Sequence, residues 1–248
     1  MDKGDLVEKY GEAWERSLVS MPASFRNEQR PTNPLLLAIP ESFMEANVKI
    51  LFFGQETNDW EGVFPHGEGI HHLIATYTNF YLNGLCFGYG GQFWNGISKL
   101  KQKFEAHLTP TGRTVSSLWN NLVKIGKYEN RGLPSEEIMH WQDHWFDIIR
   151  EEVILLRPDA AIFFTGPYYD RFIRRVFDDV YFERINERNE RQLARVRSVH
   201  LPLKTRLMLR FRVLFDQQLN QRLKQGCASL PNIMDKLEET KIEREFLL

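Results

Sequence analysis

The sequence predicts an α/β fold: a three-layer αβα sandwich with a central, mostly parallel sheet of four strands. Three observations predict it. Two short apolar runs, Val48 to Phe53 and Ala160 to Phe164, are continuous rather than alternating, the pattern of strands buried on both faces. Around and between them apolar residues recur at helical spacing. Strands separated by helices call for a parallel sheet covered by helices on both sides. With 248 residues, 42% of them hydrophobic, the chain fits one domain with a sizeable core.

The elements follow in order. Leu6, Tyr10, Trp14 and Leu18 recur every fourth residue, which predicts an amphipathic helix. A stretch with Pro31, Pro34 and Pro40 follows, so residues 1–47 form a helical N-terminal extension. Val48 to Phe53 is the first strand, closed by Gly54. Helical spacing returns at Ile70, Leu73, Ile74, Tyr77 and Tyr81, and again at Phe93, Ile97, Leu100 and Phe104, with a glycine-rich loop from Gly84 to Gly91 between them. Leu118 to Lys124 supplies a second strand. Ser135 is suited to cap a helix whose first turn carries Glu136 and Glu137, where the helix dipole favours acids. That helix buries Ile138, Trp141, Trp145, Ile148, Ile149 and Leu156 and stops before Pro158. Ala160 to Phe164 is the next strand, and Pro167 opens a further helix. Arg195 to Val199 reads as the last strand, followed by a helix near Leu207 to Leu223 and a charged tail from Asp235. The core thus spans residues 48–225.

Composition excludes several classes. No apolar run is long enough to span a bilayer, and Met1 to Asp5 lacks the basic-then-apolar pattern of a secretory signal, so no membrane partner is expected. The two cysteines, Cys86 and Cys227, exclude a disulfide framework and an all-cysteine metal site. A reducing, cytoplasmic setting is the default. No phosphate-cradling Gly-rich Lys-Ser/Thr motif and no complete dinucleotide fingerprint occurs. The net charge of −1 is unevenly spread: Arg191, Arg195, Arg197, Lys204, Arg206, Arg210 and Arg212 fall in one segment without an acid, leaving −8 for the rest. Such a block suits a phosphate-facing surface, and equally a solvated face paired with acids elsewhere.

In open parallel sheets ligands sit at the carboxyl ends of strands. Three predicted strand ends carry polar groups: Gln55 and Glu56, Asn121, and His200. The motifs around them resemble the uracil-DNA glycosylase superfamily. Ile50 to Asn58, with Gly54-Gln55-Glu56 at its centre, looks like the first glycosylase motif. Asn120-Asn121-Leu122-Val123-Lys124 followed by Glu129 to Pro134 is similar to a segment of the thermostable iron–sulfur branch, as is Arg157 to Gly166. Val199-His200-Leu201-Pro202-Leu203 resembles the family's His-Pro motif, and Gly84 to Phe87 a sequence of the classical uracil enzymes. The resemblance runs from about residue 48 to 210, in the family's order.

The resemblance implies a uracil-DNA glycosylase-like fold and a DNA-binding hydrolase of base excision repair. A flipped-out uracil or damaged base would enter a pocket and lose its N-glycosidic bond. Bond breakage builds positive charge on the sugar and negative charge on the base. Glu56 holds the place of the catalytic acid, one methylene longer than the usual aspartate, with Asp59 and Glu61 as backups on the same loop. His200 would donate to the departing base. Asn121, in competition with Asn120, would read the base edge beside Gln55, and Phe87 would stack on the base. Each has a structural alternative: a turn cap for Glu56, a strand-end histidine, a buried amide, a core ring. Arg197, Lys204, Arg206 and Arg210 are the DNA-binding candidates.

Two departures bear on the substrate. Thr57-Asn58 stands where the family has Pro-Tyr, which opens the pocket to a larger base. The iron–sulfur branch needs four cysteines, one of them where Ile125 stands, so no cluster and no other cofactor or metal is expected. His140 and His144 have a metal-ligand spacing without a third ligand, while His66, His71 and His72 near Glu68 suit a pocket mouth or a metal. The competing functions are a nucleic-acid- or nucleotide-binding module that has lost catalysis, and a small-molecule hydrolase on the same scaffold.

Overall fold

The computed structural model describes residues 3–26, 30–177, 179–185, 190, 193–198 and 207–211. Helix α1 (Lys3–Ser20) is followed by an extended strap over residues 30–40 and a short α2 (Glu41–Met44). Strand β1 (Val48–Glu56) leads to α3 (Gly69–Tyr77) and α4 (Gly91–Leu108), and β2 (Val115–Val123) to α5 (Glu136–Trp145) and α6 (Ile149–Leu156). Strand β3 (Ala160–Phe163), α7 (Asp170–Val176), β4 (Val180–Arg184), β5 (Leu193–Ser198) and β6 (Leu207–Phe211) complete the described chain. The strands form one sheet in the order β2-β1-β3-β6-β5-β4.

The fold is mixed α/β, as expected, but the sheet has six strands among the described residues, not four. Strands β2, β1, β3 and β6 run parallel; β5 pairs antiparallel with β6, and β4 pairs antiparallel with β5 and so runs in the direction of the first four. Residues 207–211, expected as helix, form β6. Five residues are too few for a period to separate strand from helix, and the pairing of Leu207 to Arg210 with Ala160 to Phe163 decides it. The expected last strand at Arg195 to Val199 is β5, and its direction is opposite to that of β6. The single helix expected before Pro158 is two, because the backbone turns at Phe146 and carries its ring into the core at 1% exposure. Ser135 caps α5 as expected, its side chain accepting from the Ile138 N–H. Strand β1 does not close at Gly54 but continues through it to Glu56.

Apolar continuity explains the centre of the sheet. Ile50, Leu51, Phe52 and Phe53 are fully buried, as are Ala160, Ile162 and Phe163, because helices cover both faces. On one face Tyr77, which ends α3, stacks on Trp119, and Trp94 of α4 meets the same indole edge-on at 4.9 Å. On the other face Asn120 meets Glu152 of α6. A second apolar cluster joins α1 to α5, with Trp14 against Phe64 at 4.8 Å and Phe25 against Trp141 at 5.3 Å. Among the described residues no helix is long and apolar enough to cross a membrane.

A polar node lies inside this packing. Lys124 Nζ donates to Glu152 Oε1 at 2.6 Å and to the Leu35 carbonyl at 2.8 Å. Tyr10 Oη donates to the same carboxylate at 2.5 Å, and Asn120 Nδ2 to its second oxygen at 2.8 Å. Lys124 and Glu152 are at most 1% exposed. Burial pushes the Lys124 ammonium down from its ordinary pKa, and the neighbouring Glu152 opposes that shift. Burial and the Glu152 charge push the Tyr10 phenol up, so it stays a donor. Removing one member leaves an uncompensated buried charge. Lys124→Met or Glu152→Met alone is expected to lower unfolding free energy by about 3–5 kcal/mol, whereas the double substitution recovers most of the loss. Urea unfolding of the three variants measures this, and additive losses would refute it.

Candidate functional site

The carboxyl ends of β1 and β2 lie side by side. Gly54 pairs with Asn121 and Glu56 with Val123 across the parallel ladder. The two strands approach so closely over the site that a Cβ on Gly54 would stand 2.3 Å from Asn121 Oδ1, 3.1 Å from Phe93 Cζ and 3.3 Å from Trp119 Nε1. Gly54 is therefore required by the side chains laid across it, not by its backbone angles. The loops beyond the strands are as tight. A Cβ on Gly126 would fall 1.7 Å from the Thr57 carbonyl oxygen, so only glycine fits there.

The strap fixes both loops from outside. Thr32 and Leu35 N–H groups donate to the Gly126 and Lys124 carbonyls at 3.1 and 3.0 Å, and the Asn33 N–H donates to Gly62 O at 3.2 Å. The loop after β1 also holds residues 129–132, because Asp59 accepts from the Glu129 N–H and Asn58 from the Gly132 N–H. Asp59, exposed, thus has one carboxylate oxygen engaged with backbone.

Each expected site residue can now be placed. Glu56 is half-buried and its Oε2 accepts from the Tyr169 hydroxyl. Desolvation, then that hydrogen bond, pushes the Tyr169 phenol well up, so it remains a donor. Gln55 Nε2 donates to the Thr165 carbonyl at 2.9 Å. Asn121 is 3% exposed; its Oδ1 accepts from Trp119 Nε1 at 3.0 Å and its Nδ2 donates to Thr57 Oγ1 at 3.2 Å. Asn120 faces the other way, into the Glu152 node, and so does not compete with Asn121 for this edge.

Phe87 does not join this group by any described contact. It sits in the one-turn helix Leu85–Tyr89, 6.2 Å from Tyr81 and from Trp94, with Lys101 Nζ 5.4 Å from its ring centre. Tyr81 and Lys101 line a cleft of about 330 Å³ with Ser116 and Ser117, near the start of β2 and away from Glu56. The rings beside Gly54 and Asn121 are Trp119 and Phe93, the latter expected from the sequence only on an apolar helix face. Phe93 meets Trp94 at 4.8 Å and Phe164 at 5.9 Å.

His200, Lys204 and Arg206 lie outside the described residues. Ser198, the described residue before His200, stands at the opposite edge of the sheet from Glu56. Arg195 is level with Leu209, Ile162 and Phe52, and β5 runs from there toward the amino edge. Ser198 and Glu56 are thus separated by about seven residue steps, on the order of 23 Å. The last strand expected from the sequence therefore runs away from the Glu56 edge as far as Ser198, and His200 itself lies outside the described residues. Arg210 is not a phosphate contact either. It is 1% exposed, pairs with Asp170 at 3.0 Å and donates to the Glu190 carbonyl at 3.0 Å. Arg197 is exposed on β5, and its Nε donates to Glu183 at 3.0 Å.

A second group spans the loop after β1 and the start of α3. Ligand atoms of Glu61, His66 and His72 lie within 4.8 Å of one another, and all three side chains are half-buried. His71 is exposed and outside the group. Comparison of the chain with protein-family models, curated proteins and solved structures returned no match.

Gly54→Ala tests the crowding at the strand ends. The added methyl must displace the Asn121 amide or the Phe93 ring, at a cost of about 1–3 kcal/mol. The urea midpoint is expected to fall with the slope unchanged. An unchanged midpoint would show that the two strands have room to spare.

Proposed function

We propose that the chain is a DNA glycosylase-like hydrolase, which binds DNA and hydrolyses the N-glycosidic bond of a flipped-out uracil or modified base. The observation that carries this reading is the position of Gln55, Glu56 and Asn121 at the carboxyl ends of two adjacent parallel strands, with Phe93 and Trp119 beside Gly54 and Asn121. The four parallel strands, in the order β2-β1-β3-β6, are compatible with the glycosylase-like fold that the resemblance implies. Rings at the strand ends suit the flat face of a base, and an amide suits its polar edge.

In this reading Glu56 acts on the sugar. Tyr169 holds Oε2, which fixes the carboxylate, and Oε1 is left to orient the attacking water and offset the developing sugar cation. His200, outside the described residues, keeps its expected role as the donor to the departing base. Glu56→Gln keeps the side chain's size and removes its charge. It is expected to slow base release by about 10²–10⁴-fold while leaving DNA affinity unchanged, measured on labelled oligonucleotides carrying uracil, deaminated or alkylated bases. Full activity in this variant would sink the assignment.

One observation favours the second reading, a binding module without catalysis. The Asn121 amide is buried and both its oxygen and its nitrogen are already engaged, as a structural amide would be. Wild-type protein that binds these oligonucleotides and releases no base would favour it.

Salt dependence addresses the DNA partner separately. With Arg210 internal, Arg197, Lys204 and Arg206 remain as phosphate contacts. Three such contacts give a slope of log K against log salt near −3 for duplex. Arg210→Ala is expected to lower stability and leave that slope unchanged. A salt-independent affinity would remove nucleic acid as the partner.

A further inference from the structure

Glu61, His66 and His72 form a cluster that the reading above does not use. His72 Nε2 lies 2.7 Å from Glu61 Oε2. On the far side of the same ring, Nδ1 lies 3.3 Å from Glu68 Oε2. The His66 ring lies flat against the His72 ring, with centroids 4.1 Å apart and planes 2° apart. The cluster is half-buried, with His72 and Glu61 side chains each 29% exposed, so an ion could enter from solvent.

The loop that carries it is built from within. Asn33, itself fully buried, donates from Nδ2 to the carbonyls of Glu61 and Val63 at 2.8 and 3.2 Å. Its Oδ1 accepts from the His66 N–H at 2.8 Å. One buried amide thereby holds the backbones of Glu61 and His66 together, and α3, in which His72 lies, begins three residues after His66. The three ligands are preorganised in backbone position before any ion arrives.

We propose that Glu61, His66 and His72 bind a divalent transition-metal ion of the zinc class. Two imidazoles and one carboxylate are the donor set of a three-ligand zinc site, which leaves a fourth position open to water or substrate. The ion takes the place of the proton shared by His72 Nε2 and Glu61 Oε2. His72 keeps its Nδ1 proton directed at Glu68, the carboxylate–histidine–metal arrangement that fixes the tautomer of a ligating histidine. His66 Nδ1 now accepts from the Glu68 N–H at 3.2 Å, and metal uptake requires that ring to turn out of the stack. The site follows Trp60, whose ring meets Trp119 at 5.9 Å, so it borders the strand-end site without depending on how that site is used.

The test uses the full chain, stripped with a chelator and titrated with zinc(II) against a competing chromophoric chelator. One equivalent is expected to bind, and cobalt(II) is expected to give the visible absorption of a four-coordinate ion. His72→Ala and, as a milder change, Glu61→Gln should abolish stoichiometric binding, while His71→Ala, at the exposed neighbour, should retain it. Glu68→Gln should weaken binding by roughly tenfold, as loss of an orienting partner does. Circular dichroism confirms that each variant is folded. No stoichiometric uptake by the wild type would overturn the proposal. So would unchanged uptake by a folded His66→Ala/His72→Ala variant, which would put the ion on other side chains.

Discussion

The ion pair between Lys124 and Glu152 is the constraint on which the rest of the structure depends. Two charges in the interior are tolerated when they meet each other in good geometry and further hydrogen bonds satisfy them. Here the partners come from four separate parts of the chain: Tyr10 of α1, the Leu35 carbonyl of the strap, Asn120 and Lys124 at the end of β2, and Glu152 of α6. A shift of any one breaks several bonds at once, so the node sets the relative position of all four. It also sets the site. Asn120 Oδ1 accepts from the Asn121 N–H at 2.9 Å, and the next side chain along the strand therefore points to the opposite face, toward Gly54 and Phe93.

From that node outward, the carboxyl edge of the sheet is held by backbone rather than by bulk. The strap binds the loops after β1 and β2, and Gly126 lets the second loop lie directly on the Thr57 carbonyl. Trp60 then carries the chain away from β1, packed against Phe80 and Trp119, into the loop that bears Glu61 and His66. The strand-end carboxylate and the histidine pair thus hang on one short, well-anchored connection. Rigid support of this kind is what a site needs to hold polar groups in a fixed geometry.

The basic segment illustrates how a linear charge pattern is divided by a sheet. Side chains alternate along a strand, and residues paired across a ladder share a face. Arg210 pairs with Ala194, so it shares the face of Ala194 and Val196, both buried. Arg195 and Arg197 point to the other face. Charges that are adjacent in sequence therefore separate, and the one on the covered side becomes internal and pairs with Asp170. Composition alone contains no information about this division.

Local chemistry was enough to determine the strand character of Val48 to Phe53 and Ala160 to Phe163, the buried stripe of α1 and the cap at Ser135, because each depends on neighbours a few residues away. It also pointed to the strand ends where Gln55, Glu56 and Asn121 stand. Tertiary structure alone decided the rest. The identity of β6 and the reversed direction of β5 come from pairing with distant strands, and that direction separates Ser198 from Glu56. What Asn121 bonds, which ring lies over Gly54, and the meeting of Glu61 with His72 depend on packing between helices and strands far apart in sequence. Periodicity reports which face of an element is apolar; it does not report which other element will cover that face.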